Sequence, residues 1–209
     1  MLYLTVVVGL GLISMLGWNM TARAAYETAQ YEVIERDGNM EIRQYPDLML
    51  VSVDTGEESQ GRDGSFMKLF RYISGANTAE QKIAMTTPVF MEDEHASTQG
   101  RMGFVLPQEV ATVDIPEPKA TDLKIRKRSG GRFAVIRFAG QLNSVTAKEN
   151  EAKLRKWLQA KGIIGEEFAE SAGYDAPFTP GPLRRNEVLI RLPDTLETSG
   201  SISVPAEAK

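Results

Sequence analysis

The chain has 209 residues, 42% of them hydrophobic, and a formal net charge of −4. That length and apolar content suit one globular domain with a sizeable core, and the missing basic excess argues against a nucleic-acid partner, whose phosphates need neutralising. Cysteine is absent and there is one histidine. This excludes disulfides, thiolate ligation, iron–sulfur clusters and a cysteine-borne lipid anchor, and any histidine triad or zinc site must centre on His95.

Leu2 to Trp18 is almost entirely apolar, and Ala22-Arg23-Ala24 supplies the small-x-small pattern of a signal-peptidase site. The run is short for a membrane span of about 20 residues. Residues 1–24 are therefore read as a signal peptide or a membrane anchor, with residues 1–20 as a possible tether. Either way the folded part, residues 25–193, is expected to be periplasmic or extracellular.

Tyr31–Glu35 and Met40–Tyr45 flank Asp37-Gly38, a strong hairpin turn because glycine accepts positive φ. An extended segment, Leu48–Asp54, follows. The next element is an amphipathic helix over Ser65–Ser74, with Phe66, Leu69, Phe70 and Ile73 at helical spacing and Gly75 and Asn77 suited to a left-handed C-terminal cap. A strand over Lys82–Met91 carries Met85-Thr86-Thr87-Pro88, and proline there argues against a central position. His95 falls in the acidic loop Glu92–Gly100, and another strand covers Arg101–Leu106.

Pro107 to Pro118, rich in proline and acid, reads as a linker. Beyond it Leu123–Arg128 and Arg132–Phe138 flank Gly130-Gly131, a second hairpin signal, and the basic run Lys124–Arg128 reads as the solvated face of a strand. A helix from Thr146 to Lys161 is signed by a capping box of Thr146 and Glu149, by Gly162 after its end, and by an apolar face of Ala147, Leu154, Trp157 and Leu158. An extended stretch near Tyr174–Phe178 and a strand over Glu187–Leu192 complete the fold, and residues 194–209 read as a disordered tail. Hairpin, helix and strands recur in the same order. This predicts an α+β fold, a curled or distorted antiparallel β-barrel with two packed helices and a pseudo-twofold repeat.

Several blocks together resemble the SOUL haem-binding family. They are Tyr72-Ile-Ser-Gly-Ala-Asn77 followed by Lys82-Ile-Ala-Met-Thr-Thr-Pro-Val89, with Glu41-Ile-Arg-Gln-Tyr45-Pro before and Ala172-Gly-Tyr-Asp-Ala-Pro177 and Arg184-Arg-Asn-Glu-Val188 after. The resemblance implies a distorted barrel of about eight strands with two helices, and non-covalent, reversible binding of haem or a related tetrapyrrole beside the first helix. Carried onto this chain, it makes Phe66, Met67, Phe70 and Met85 the apolar contacts, with Arg62 and Arg71 placed to meet propionates by charge-assisted hydrogen bonds. One departure stands out. Where the animal SOUL protein has a histidine proposed as the axial iron ligand, this chain has Gln44, and an amide is a poor iron ligand.

Burying about 300 Å² of porphyrin at about 25 cal/mol/Å² contributes roughly 7–8 kcal/mol. Association entropy opposes by about 4 kcal/mol or more. Without an iron–protein bond this gives micromolar or weaker binding unless propionate contacts add to it. No acid–base–nucleophile set emerges, so the expectation is a carrier or sensor and not an enzyme. Two rivals stand beside it: a binding module for another hydrophobic small molecule, and a protein–protein adaptor whose pocket is closed by its own side chains.

Overall fold

In the computed structural model, residues 26–55, 64–92, 100–176 and 179–193 are described. The proposed leader, Arg62, His95 and the tail fall outside these ranges. The elements in chain order are β1 (Glu27–Thr28), β2 (Glu32–Asp37), β3 (Met40–Tyr45), β4 (Leu48–Asp54), α1 (Ser65–Ile73), β5 (Thr86–Thr87), β6 (Val89–Glu92), β7 (Arg101–Val105), α2 (Gln108–Ala111), β8 (Leu123–Arg128), β9 (Gly131–Ala139), α3 (Ser144–Ala160), β10 (Ala169–Gly173) and β11 (Arg185–Arg191). β1 and β5 form a short parallel pair, and the other nine strands form one curled sheet in the order β2-β3-β9-β11-β10-β6-β7-β4-β8.

Exchanging β3, β4, β6 and β7 for β8, β9, β10 and β11 turns this order, β2 aside, into its own reverse. The helices obey the same exchange, α1 packing on β4 and β7, and α3 on β9 and β11. The predicted fold class and its pseudo-twofold repeat are therefore present, with the symmetry point between β6 and β10. The repeating unit differs from the one expected. Gly130-Gly131 does not close a hairpin, because β8 pairs with β4 while β9 pairs with β3 and β11. β2 is an additional edge strand outside the repeat. Gly130 is needed for close approach: a Cβ there would lie 2.5 Å from the Tyr45 carbonyl oxygen and 2.9 Å from the Asp47 nitrogen. The β8–β9 connection thus presses against the β3–β4 connection, where Asp47 accepts the Gly130 N–H at 2.8 Å.

Other boundaries move for local reasons. α3 starts at Ser144 because Asn143, extended in φ and ψ, accepts the Thr146 N–H while the Thr146 hydroxyl accepts the Asn143 N–H, so the capping box is Asn143 with Thr146. Pro88 divides the expected strand into β5 and β6, and β6 then takes a central place that begins one residue past the proline. The extended stretch expected near Tyr174 lies earlier, as β10. The expected linker is packed structure: it holds α2, buries Val110 and Pro116, and joins Asn77 to Pro118 through a β-bridge.

The core has three layers. Leu48, Leu50, Phe90, Phe133, Val135 and Leu189 fill the concave side of the sheet. Val51, Val53, Leu69, Tyr72, Met102 and Phe104 pack beneath α1, and Ile42, Ile136, Leu154, Leu158 and Ile190 beneath α3. The alternation of strand side chains produces this division: in β4, Leu48 and Leu50 point inward while Val51 and Val53 point to α1.

Candidate functional site

α1 is apolar over a wider arc than the sheet can cover. At about 100° per residue, Ser65, Leu69, Tyr72 and Ile73 share the side that is buried. Phe66, Phe70 and Met67 continue the apolar surface around one edge. Phe66 is half-buried, with its ring edge-on to Phe104 at 5.2 Å, and Phe70 stacks on it at 6.3 Å with the planes 11° apart. Phe70 remains 43% exposed and Met67 49% exposed. Both therefore belong to the surface and not to the core, the place residues of this kind at helical spacing ordinarily take.

The next position around the helix is Arg71, exposed and without an ion-pair partner among the described residues. Lys68, on the far edge, pairs with Asp122 at 2.8 Å. Two aligned rings, a soft thioether and a cation at the rim make a surface suited to a flat apolar body with an acidic edge. Met85 is half-buried and packs on the same cluster beneath α1. The structure thus brings Phe66, Met67, Phe70 and Arg71 together on one helix flank, sets Met85 in the layer below, and leaves Arg62 outside the described residues.

Gln44 sits elsewhere. It is exposed on the face of β3 that carries Ile42, which packs under α3, and its amide points back to the Tyr45 carbonyl at 3.4 Å. The α1 flank belongs to the other half of the repeat.

The inner face of the sheet holds a network that sequence reasoning missed. Glu41, Arg43 and Tyr45 alternate inward from β3. The fully buried Arg43 donates to Glu41 at 2.6 Å, to both oxygens of Glu187 at 2.7 and 3.0 Å, and to the Tyr45 hydroxyl at 2.9 Å, with its guanidinium 4.1 Å from the Tyr31 ring centre. Glu187 also accepts from the Tyr174 hydroxyl at 2.8 Å and from Arg185 at 2.7 Å. Burial pushes the Glu187 carboxyl up, but the hydrogen bonds and charge of Arg43, joined by Arg185, outweigh it and hold the group below the usual carboxylate range. Burial raises the Tyr45 phenol to about 12, and burial with the Glu187 charge raises Tyr174 well above its ordinary value. Both tyrosines stay protonated, Tyr174 donating to Glu187 and Tyr45 accepting from Arg43.

The basic run of β8 also differs from its expected solvated face. Lys124 and Lys127 are exposed, but Arg128 is buried among the rings of Phe133, Phe90 and Tyr45, at 4.3, 4.5 and 5.3 Å, and bonded to Glu170 at 2.6 Å. The concave side is therefore closed by its own paired charges and aromatic rings. The available signal was the spacing of Glu41, Arg43 and Tyr45 at every second residue of a strand, which puts three hydrogen-bonding side chains on one face.

A duplicated curled sheet with a helix on each outer side, and one helix flank left apolar and bare, defines the class of domain. The chain belongs to the SOUL heme-binding protein family, whose model matches residues 26–191. Heme-binding protein 2 of Homo sapiens is 31% identical over 170 residues, covering 75% of this chain and 82% of that one. The Mus musculus heme-binding protein 2 is 28% identical over 158 residues, covering 72% and 77%. Among solved structures, a Listeria innocua hydrolase matches with a TM-score of 0.55 at 11% identity, over 77% of this chain and 94% of its own. The C-terminal domain of EcmrR matches at 0.52 and 11%, over 79% and 99%. At such identities the structural likeness speaks for the fold alone.

Proposed function

We propose that the domain binds haem or a related tetrapyrrole, non-covalently and reversibly, on the exposed flank of α1, and that it carries or senses this ligand without transforming it. The observation that supports this is the parallel Phe66–Phe70 pair continued by exposed Met67 and bordered by Arg71, which has no ion-pair partner among the described residues. The rings and thioether suit a macrocycle face by offset stacking and dispersion, and Arg71 suits a propionate. Membership of a haem-binding family and the haem-binding names of the curated relatives point the same way. Among the described residues no histidine lies on this flank, and on this reading affinity rests on the porphyrin and its acid groups. Titrating the purified protein with haemin and following the Soret band tests the reading: saturable one-to-one binding is expected, whereas a featureless scattering response favours an adaptor surface or another ligand.

The domain acts outside the cytoplasm, delivered by its N-terminal apolar segment. The run Leu2–Trp18 and Ala22-Arg23-Ala24 support this. N-terminal sequencing from the native host should find a start near Ala25. Intact Met1 in the membrane fraction means an anchor, and intact Met1 in the cytosol overturns both versions.

A further inference from the structure

Beyond the C-terminal end of α1 lies a cavity of about 590 Å³, bounded by residues 78–81 and by the segment 109–117. This volume is in the range of small-molecule sites, about 300–1,000 Å³. Its apolar lining is Ala79, Val110, Val113, Ile115 and Pro116, and Val113 is 85% exposed at the mouth.

The walls are fixed. The Thr78 N–H donates to the Glu117 carbonyl at 2.9 Å and the Lys119 N–H to that of Ala76 at 3.4 Å. Fully buried Tyr72 donates its hydroxyl to the Pro116 carbonyl at 2.8 Å, and fully buried Asn77 bonds the Tyr72 and Gln81 carbonyls at 3.0 and 2.7 Å and accepts the Gln81 N–H at 3.0 Å. The Tyr72-to-Asn77 motif therefore ties the two walls together. A cavity held this way needs little ordering when a ligand enters.

Charge decides what fits. Glu109, Asp114 and Glu117 line the cavity with no basic residue among them, and none of the three has an ion-pair partner among the described residues. Lys119, two residues past Glu117, is turned to Glu80 at 3.0 Å, and Lys82, which follows Gln81, is not among the lining residues. Three like charges around an apolar floor concentrate a negative potential where an apolar body would rest. A haem propionate is repelled there, so this cavity and the α1 flank select opposite ligands.

We infer that this cavity is a second binding site, separate from the α1 flank, and that it takes a small organic cation with an apolar body, such as a protonated alkyl or cycloalkyl amine. The inference is independent of the haem reading.

The test uses three probes that share one cage and differ in charge: 1-adamantylammonium, 1-adamantanol and adamantane-1-carboxylate, titrated into the ¹⁵N-labelled protein and followed by amide shifts. The ammonium should give saturable shifts at residues 77–81 and 109–117, with a Kd at least about tenfold below that of the alcohol, and the carboxylate should give none. Raising salt from about 0.05 to about 0.5 M should weaken the ammonium severalfold and leave the alcohol unchanged. The variant carrying Glu109→Gln, Asp114→Asn and Glu117→Gln should lose the preference for charge. Equal binding of ammonium and alcohol overturns the proposal, as do shifts mapping to α1 residues 66–71, an ammonium Kd indifferent to salt, or a preference that survives in the folded triple variant.

Discussion

Phe70→Ala separates the proposed tetrapyrrole site from the core. Phe70 is 43% exposed, and with about 200 Å² for an aromatic side chain that leaves roughly 85 Å² for a ligand to cover. At about 25 cal/mol/Å² this area is worth about 2 kcal/mol, or roughly thirtyfold in Kd. The covered remainder, roughly 115 Å², gives an upper bound of about 3 kcal/mol for the loss of stability. For a domain of this size that lowers Tm by roughly 6–12 °C and leaves the protein folded at 25 °C. Haemin affinity by Soret titration and Tm by circular dichroism should be read on the same preparations. Val145→Ala, at an exposed apolar position on α3, serves as the control and should leave haemin affinity unchanged. If Phe70→Ala binds haemin as the parent does, or if Val145→Ala weakens it equally, the flank is not the site.

Three further outcomes follow from the same geometry. His95→Ala should change haemin affinity less than about threefold, below about 0.7 kcal/mol, because on the proposed reading apolar contact and not a histidine–iron bond holds the ligand; loss of a sharp six-coordinate low-spin spectrum in that variant refutes this. Glu187→Gln leaves Arg185 without its buried counter-charge and Arg43 with Glu41 alone, and should cost about 3–5 kcal/mol in urea unfolding at pH 7. Because the folded-state pKa of Glu187 is depressed, its stabilisation is fully present above the unfolded carboxylate value of about 4.3 and is lost as pH falls through the folded value, so the variant's stability should vary less with acid below about pH 5. A variant within about 1 kcal/mol of the parent at pH 7 contradicts the network's role. Asn77→Ala removes three hydrogen bonds from a fully buried side chain and should cost about 2–4 kcal/mol, with hydrogen-exchange protection falling first at residues 74–81; uniform loss of protection across the sheet argues against a local role.

What the sequence determined by itself was local: the turn at Asp37-Gly38, the two long helices, most of the strands of the large sheet, and the recurrence of the elements in two halves. Each of these is written within a few residues, as a φ requirement, a cap or a period. The family blocks were equally legible, and so was the absence of the axial histidine at position 44. Strand partnership was not. Gly130-Gly131 has the local chemistry of a hairpin, yet β8 and β9 part to join β4 and β3, because hydrogen bonds between distant strands outweigh a turn preference of a few residues.

The candidate site divides in the same way. Helical spacing identified Phe66, Leu69, Phe70 and Ile73 as apolar, and the family resemblance added Met67, but the period cannot say which part of a wide apolar arc stays bare. The curl of the sheet decides that, by covering Leu69, Tyr72 and Ile73 and stopping short of Phe70 and Met67. The burial of Arg43 and Glu187 is likewise a tertiary outcome. Their charges mark both as surface residues until the fold places them opposite each other, 144 positions apart in the chain, where each neutralises the cost of burying the other.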